Sequence, residues 1–226
     1  MNKRLITSLP EVQSYVREVH ARGRSLGLVP TMGALHEGHE SLIRRAKQQC
    51  DTVLVSIFVN PKQFNSRADF ANYPRDLASD TEALRAHNVD AVFAPSEEDI
   101  YPPGFDTFVE AGSLAAPWEG SSRPGHFRGV ATVVLKLFNL AQPDVAYFGQ
   151  KDFQQIQIIR RLVEDLNLSV RLMICPIVRD AEGLALSSRN ALLNSEQRRA
   201  AAVLHTCLRR GEKLRSEEAR VELVLG

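Results

Sequence analysis

Residues 52–59 (TVLVSIFV) constrain the fold more than any other part of this chain. The segment is β-branched and almost unbroken in apolar character, which predicts a strand covered on both faces and so a parallel sheet between helical layers. Shorter apolar runs at 25–29, 91–94, 145–148 and 169–174 predict further strands. Segments of helical period lie between them: 75–87 with Leu77 and Leu84 turned inward, 130–141, 153–166, and one after Gly38 that carries Leu42, Ile43, Ala46 and Cys50 on one face. A first helix is announced by Ser8-Leu9-Pro10-Glu11, which fits a capping box with proline in the first turn, and Gly23 is placed to end it. Strands alternating with helices predict an α/β fold, a Rossmann-like doubly wound parallel sheet. Residues 95–129 read as irregular, with one short strand at 107–110. After Cys175-Pro176 the pattern changes, and a last helix is expected from about Ser195 to Arg210. We therefore expect two units, residues 1–175 and a smaller, incomplete one at 176–226, whose charged tail ends Leu223-Val224-Leu225-Gly226.

Charge and cysteine usage narrow the function classes. Lys+Arg 28 against Asp+Glu 27 leaves a net charge of +1, so no global field predicts a nucleic-acid or membrane partner, and any bound anion needs a local site. The longest apolar run is too short to span a bilayer, and no apolar stretch follows the basic Met1-Asn2-Lys3-Arg4 to make a secretory signal. Cys50, Cys175 and Cys207 are far apart and form no CxxC, which suits a reducing cytoplasm rather than a disulfide framework or a zinc ribbon.

Open parallel sheets bind ligands beyond the carboxyl ends of their strands. Three polar clusters fall at such ends: Thr31-Met32-Gly33-Ala34-Leu35-His36-Glu37-Gly38-His39, Asn60-Pro61-Lys62-Gln63-Phe64, and Gly149-Gln150-Lys151-Asp152. A helix opening at about Gly38 would aim unpaired N–H groups into the crevice as an anion site, and glycine there would let a phosphate approach the backbone. His36 and His39 can both face that phosphate as donors; their spacing differs from the i,i+4 pair of a zinc protease helix. Lys151 opens a helix, where a cation is unfavourable unless it has a negative partner. Gln155 follows within one turn. Two more loops, 121–129 with Arg123 and 184–190 with Ser187-Ser188-Arg189-Asn190, are rich in anion-binding groups. No Walker A or G-x-G-x-x-G sequence is present.

The blocks TMGALHEGH (31–39), VSIFVNPKQF (55–64), SRPGHFRG (122–129), FGQKDFQQ (148–155) and LALSSRN (184–190) together resemble the pantoate–β-alanine ligases, and the HxGH element resembles the wider superfamily of adenylate-forming nucleotidyltransferases. The resemblance implies ATP-dependent condensation of pantoate with β-alanine through pantoyl adenylate, with Mg²⁺ across the phosphates and no protein metal ligand assigned. It implies that His36, His39, Lys151, Ser187, Ser188 and Arg189 serve the phosphates, the catalytic positions being His39, His36, Lys151 and Arg189. Residues 32–39, Gly149, Gln150, Lys151, Asp152, Val178, Leu186, Ser187, Ser188 and Arg189 would line the ATP site, with Asp152 on the ribose and the Val178 backbone on adenine. Gln63 and Gln155 would hold pantoate, supported by Asn60 and Arg123. Gln150 departs from the acid common at that position in the family. For His39 we expect hydrogen-bond donation rather than acid catalysis, because pyrophosphate leaving on Mg²⁺ needs no proton. The family also implies a homodimer, with 107–110 taking part, and a C-terminal lid of which 176–226 would be the opening segment. Alternative readings are a nucleotide-binding fragment without full turnover and a nucleotidyltransferase acting on a phosphate acceptor; size and balanced charge disfavour a tRNA-charging enzyme.

Overall fold

The computed structural model describes residues 4–212. Met1-Asn2-Lys3 and the tail 213–226 lie outside the described residues. Six parallel strands form one sheet: β1 (Arg4–Ile6), β2 (Leu26–Thr31), β3 (Thr52–Ile57), β4 (Ala91–Phe93), β5 (Val145–Gly149) and β6 (Arg171–Cys175), in the order β1-β4-β3-β2-β5-β6. The longer helices are α1 (Leu9–Ala21), α2 (Glu37–Gln49), α4 (Leu77–Ala86), α7 (His126–Ala141), α8 (Phe153–Asp165) and α9 (Ser195–Gly211). Three short ones, α3 (Arg67–Asn72), α5 (Glu97–Ile100) and α6 (Glu119–Ser122), lie in the connections.

Burial of both sheet faces follows from the pleat. Successive residues of a strand point to opposite sides, and here both sides are apolar. Leu28, Leu54, Ala146 and Phe148 join α1, α7 and α8 in one core layer. Val29, Val53, Val55, Val145 and Tyr147 join α2 and α4 in the other. The chain adds strands on one side of β2 and then crosses to place β5 on the other, in register Gly27↔Val145 and Leu28↔Ala146. The strand order therefore reverses between β2 and β5, and the crevice at their carboxyl ends is where a ligand site belongs.

Several local expectations change. The Ser8 side chain makes no cap bond at α1, and the Glu11 carboxylate, the other half of the expected capping box, pairs with Arg4 of β1 at 3.0 Å. Leu77 is the first residue of α4 and sits at the mouth of a surface cavity, 39% exposed, rather than inward. Residues 107–110 form no strand. Their segment is tied to α7 by side chains: the Val109 N–H donates to Thr132 Oγ1 at 3.0 Å, and Arg128 covers the Phe108 ring and pairs with Glu110 at 2.7 Å. The three cysteines are free thiols. Among the described residues no helix is long and apolar enough to cross a membrane.

Candidate active site

The crevice between β2 and β5 opens into a cleft that gathers residues from every polar cluster in the sequence: Met32, His36, Gly38 and His39 after β2, Gln63 after β3, Gly149, Lys151, Asp152 and Gln155 after β5, and Val178 with Leu186 to Arg189 from the last loop. Arg123 lines it as well. Gly33, Ala34, Leu35, Glu37, Gln150 and Asn60 do not line it.

At the amino end of α2 the two histidines cap the helix reciprocally. The Gly38 N–H donates to His36 Nδ1 at 3.1 Å, and the His36 N–H donates to His39 Nδ1 at 3.4 Å. The His39 and Glu40 N–H groups are taken by the His36 carbonyl at 2.8 and 3.1 Å. These backbone donors are thus satisfied inside the helix, not left for an anion as the sequence suggested. Gly38 has a different use from the one expected. A Cβ there would lie 2.8 Å from His36 Cε1, so the glycine makes room for the imidazole over the helix end. With both Nδ1 atoms accepting, the ring proton of each neutral histidine belongs on Nε2. The rings lie 4.1 Å apart, and the donors offered to the cleft are their Nε2–H groups.

Electrostatics keep these rings neutral. Burial, then the neighbouring His36 and Lys151, push the His39 pKa down to about 3. His36 is lowered too, by burial and then by Lys151. Among the described residues Lys151 has one modest partner, Asp152 Oδ1 at 3.3 Å, and both side chains are exposed. The Asp152 carboxylate caps no N–H of α8.

Asn60 lies 1% exposed behind the cleft. Its Nδ2 donates to Gln63 Oε1 at 3.0 Å and to the Gly129 carbonyl at 3.1 Å, while its Oδ1 accepts from Tyr101 OH at 2.8 Å. With the Gln63 oxygen held by Asn60, the Gln63 NH₂ is turned toward Met32 Sδ, 3.1 Å away. Asn60 therefore orients Gln63 rather than reaching a ligand itself. The Gln155 amide has no protein hydrogen bond among the described residues. Gln150 is an exposed turn residue whose N–H donates to the Cys175 carbonyl at 2.8 Å, and Glu37 is exposed and paired with Arg44.

Four residues that sequence reasoning passed over hold the site together. Buried Tyr73 hydrogen-bonds Ser188 Oγ at 3.1 Å and lies under the Arg189 guanidinium, which also pairs with Asp69 at 2.9 Å. Glu119 pairs with Arg123 at 2.5 Å, and Arg123 donates to the Gln63 carbonyl at 3.2 Å. His126, buried at the start of α7, meets the same carbonyl through Nδ1 at 2.8 Å. Only His126, Glu119 and Arg123 share a local cue, their i,i+3 and i,i+4 spacing.

The resulting cleft brings together neutral imidazole donors, a lysine, an arginine, the oriented amide of Gln63 and the unpartnered amide of Gln155, suited to a polyphosphate beside a small polar acid. Known proteins agree in sequence and in shape. The family described as pantoate–β-alanine ligase matches residues 4–224. The pantothenate synthetase of Heliobacterium modesticaldum is 56% identical over 211 residues, which are 93% of this chain and 75% of that protein. The crystal structure of pantothenate synthetase from Thermus thermophilus superposes with a TM-score of 0.93 at 43% identity, covering 98% of this chain and 80% of that one. Pantoate–β-alanine ligase from Francisella tularensis, solved with β,γ-ATP and β-alanine, gives 0.88 at 41% identity over 98% and 85%. These relatives are named as synthetases and ligases, which disfavours a binding module without turnover. The chain belongs to the pantoate–β-alanine ligase family.

Proposed function

We propose that this ligase activates pantoate with MgATP as pantoyl adenylate and then passes the pantoyl group to β-alanine, releasing pyrophosphate and AMP. The observation that carries the reading is the convergence in one cleft of two neutral Nε2–H donors, Lys151, Arg189 and the unpartnered Gln155 amide. In the first step a pantoate carboxylate oxygen attacks the α-phosphorus and the bond to pyrophosphate breaks. Negative charge grows on phosphate oxygens, and Lys151, His36, His39 and Arg189 stabilise it by position rather than by covalent chemistry. In the second step the β-alanine amine attacks the pantoyl carbonyl carbon and AMP leaves. Gln155 and the NH₂ of Gln63 fix pantoate for both attacks, with Arg123 supporting Gln63 through its carbonyl. Asp152, whose carboxylate caps nothing in α8, is available for ribose hydroxyls, and the Val178 N–H, on a residue whose carbonyl already accepts from the Leu186 N–H, for adenine.

The metal arrives on the triphosphate as part of the substrate. We place the division between the nucleotide- and pantoate-binding unit and the segment that overlies the cleft at 175/176, where β6 ends. A cytoplasmic homodimer completes the reading. An assay of AMP release tests it. Release should require pantoate and β-alanine together, and Lys151→Ala should lower kcat/KM by about 10²-fold or more. Release independent of pantoate, or unchanged in Lys151→Ala, contradicts it.

A further inference from the structure

Asp80, in the first turn of α4, is 5% exposed and is the one buried acid among the described residues. Its carboxylate meets backbone rather than a cation: Oδ2 accepts from the Ala34 N–H at 3.0 Å and Oδ1 from the Leu35 N–H at 2.8 Å. The backbone there is unusual. Gly33 and Ala34 are both left-handed, with φ of 78° and 49°. Successive N–H groups in such a turn form a concavity that attracts anions, and left-handed alanine is disfavoured by about 1–2 kcal/mol when nothing holds it. Here the protein fills the concavity with its own carboxylate. Two residues later the chain enters α2 through His36, whose ring placement depends on where this turn delivers it.

We infer that Asp80 is a positioning residue for ATP: its carboxylate, clamped on two consecutive N–H groups, sets the aim of the histidine-bearing end of α2. The inference rests on the assignment of that end of α2 to the ATP phosphates. A charged acid suits the task because each oxygen must accept. An asparagine would turn an NH₂ against one of the two N–H groups and leave a buried donor unsatisfied.

A second cavity, lined by Met32, Gly33, Arg75, Asp76, Asp80 and Glu97 among others, borders the carboxylate, so a small anion has a path, past two acids as well as one arginine, to the position that a truncated side chain vacates. The test compares Asp80→Ala, Asp80→Asn and Lys151→Ala in steady-state kinetics, with and without added sodium formate. Asp80→Ala is expected to raise the KM for ATP about tenfold while the KM for pantoate stays within about twofold, and Asp80→Asn to raise the KM for ATP roughly threefold to tenfold. Formate should recover part of the loss in Asp80→Ala and none in Asp80→Asn, whose amide still fills the space. An unchanged KM for ATP in a folded Asp80 variant, or equal increases for both substrates that ignore formate, overturns the inference. An unchanged kcat/KM for ATP in Lys151→Ala would instead sink the phosphate assignment beneath it. Amide proton shifts of Ala34 and Leu35, measured without ATP, decide the hydrogen bonds independently, even where the alanine variant does not fold. Both should move upfield in Asp80→Asn, and unmoved resonances overturn the inference.

Discussion

Acidification from about pH 7.5 to about pH 5 is expected to cost wild-type protein more stability than His39→Gln, and the difference isolates one imidazole. The folded chain holds His39 at a pKa of about 3, below the ordinary 6.5, chiefly by burial. Unfolding frees the ring to bind a proton that the native site refuses. Its contribution is therefore fully present above the unfolded pKa of about 6.5 and is lost as pH falls from there toward about 3. At about pH 5 the proton uptake accounts for roughly 2 kcal/mol, from the ratio of unfolded to folded protonation at those two pKa values. For an m-value of about 2–3 kcal/mol per molar urea, the midpoint should fall by roughly 0.7–1 M more in wild type than in the glutamine variant. His36 and His126, also lowered mainly by burial, steepen the acid slope of both proteins and cancel in the comparison. Equal pH slopes in the two proteins, or an NMR titration placing His39 above about pH 5.5, would refute the burial-driven lowering of its pKa, and a titration above about pH 7.5 would refute the neutral-donor assignment as well.

Two further substitutions probe the frame of the site. Gly129→Ala would put a Cβ 2.2 Å from the Lys62 carbonyl oxygen and 2.7 Å from the Gln63 nitrogen. Thermal or urea unfolding should find it destabilised by about 1–3 kcal/mol or more, with a raised KM for pantoate because the turn carrying Gln63 must move. Asp69→Asn removes an exposed ion pair to Arg189. Its stability should change by less than about 1 kcal/mol, while calorimetry should find ATP binding unchanged or up to about fivefold tighter.

The strands that are covered on both faces were legible from sequence because continuous β-branched runs have few other uses. The edge strand β1 was not, since three residues, Arg4–Ile6, carry no periodicity and pair only with the distant β4. Short α3, α5 and α6 escaped for the same reason: four to six residues cannot display a helical repeat. The polar clusters at strand ends announced the cleft, because topology brings those ends together whatever the loops do. What stayed hidden are the residues that act through tertiary contact. Asp80 reaches a turn 46 residues earlier, and Tyr73 holds a serine 115 residues later. Local patterning carries no trace of either bond. The reversal at Gly38 has the same origin: a glycine at a helix start reads as space for a ligand, and only the fold places an imidazole there.

The most direct test of the central claim is exchange of labelled pyrophosphate into ATP, run with pantoate and without β-alanine. A reversible adenylation predicts label in ATP that depends on pantoate and falls sharply in Lys151→Ala. Absence of exchange while AMP is still produced with both substrates present, or exchange that proceeds without pantoate, would contradict a pantoyl adenylate formed in this cleft.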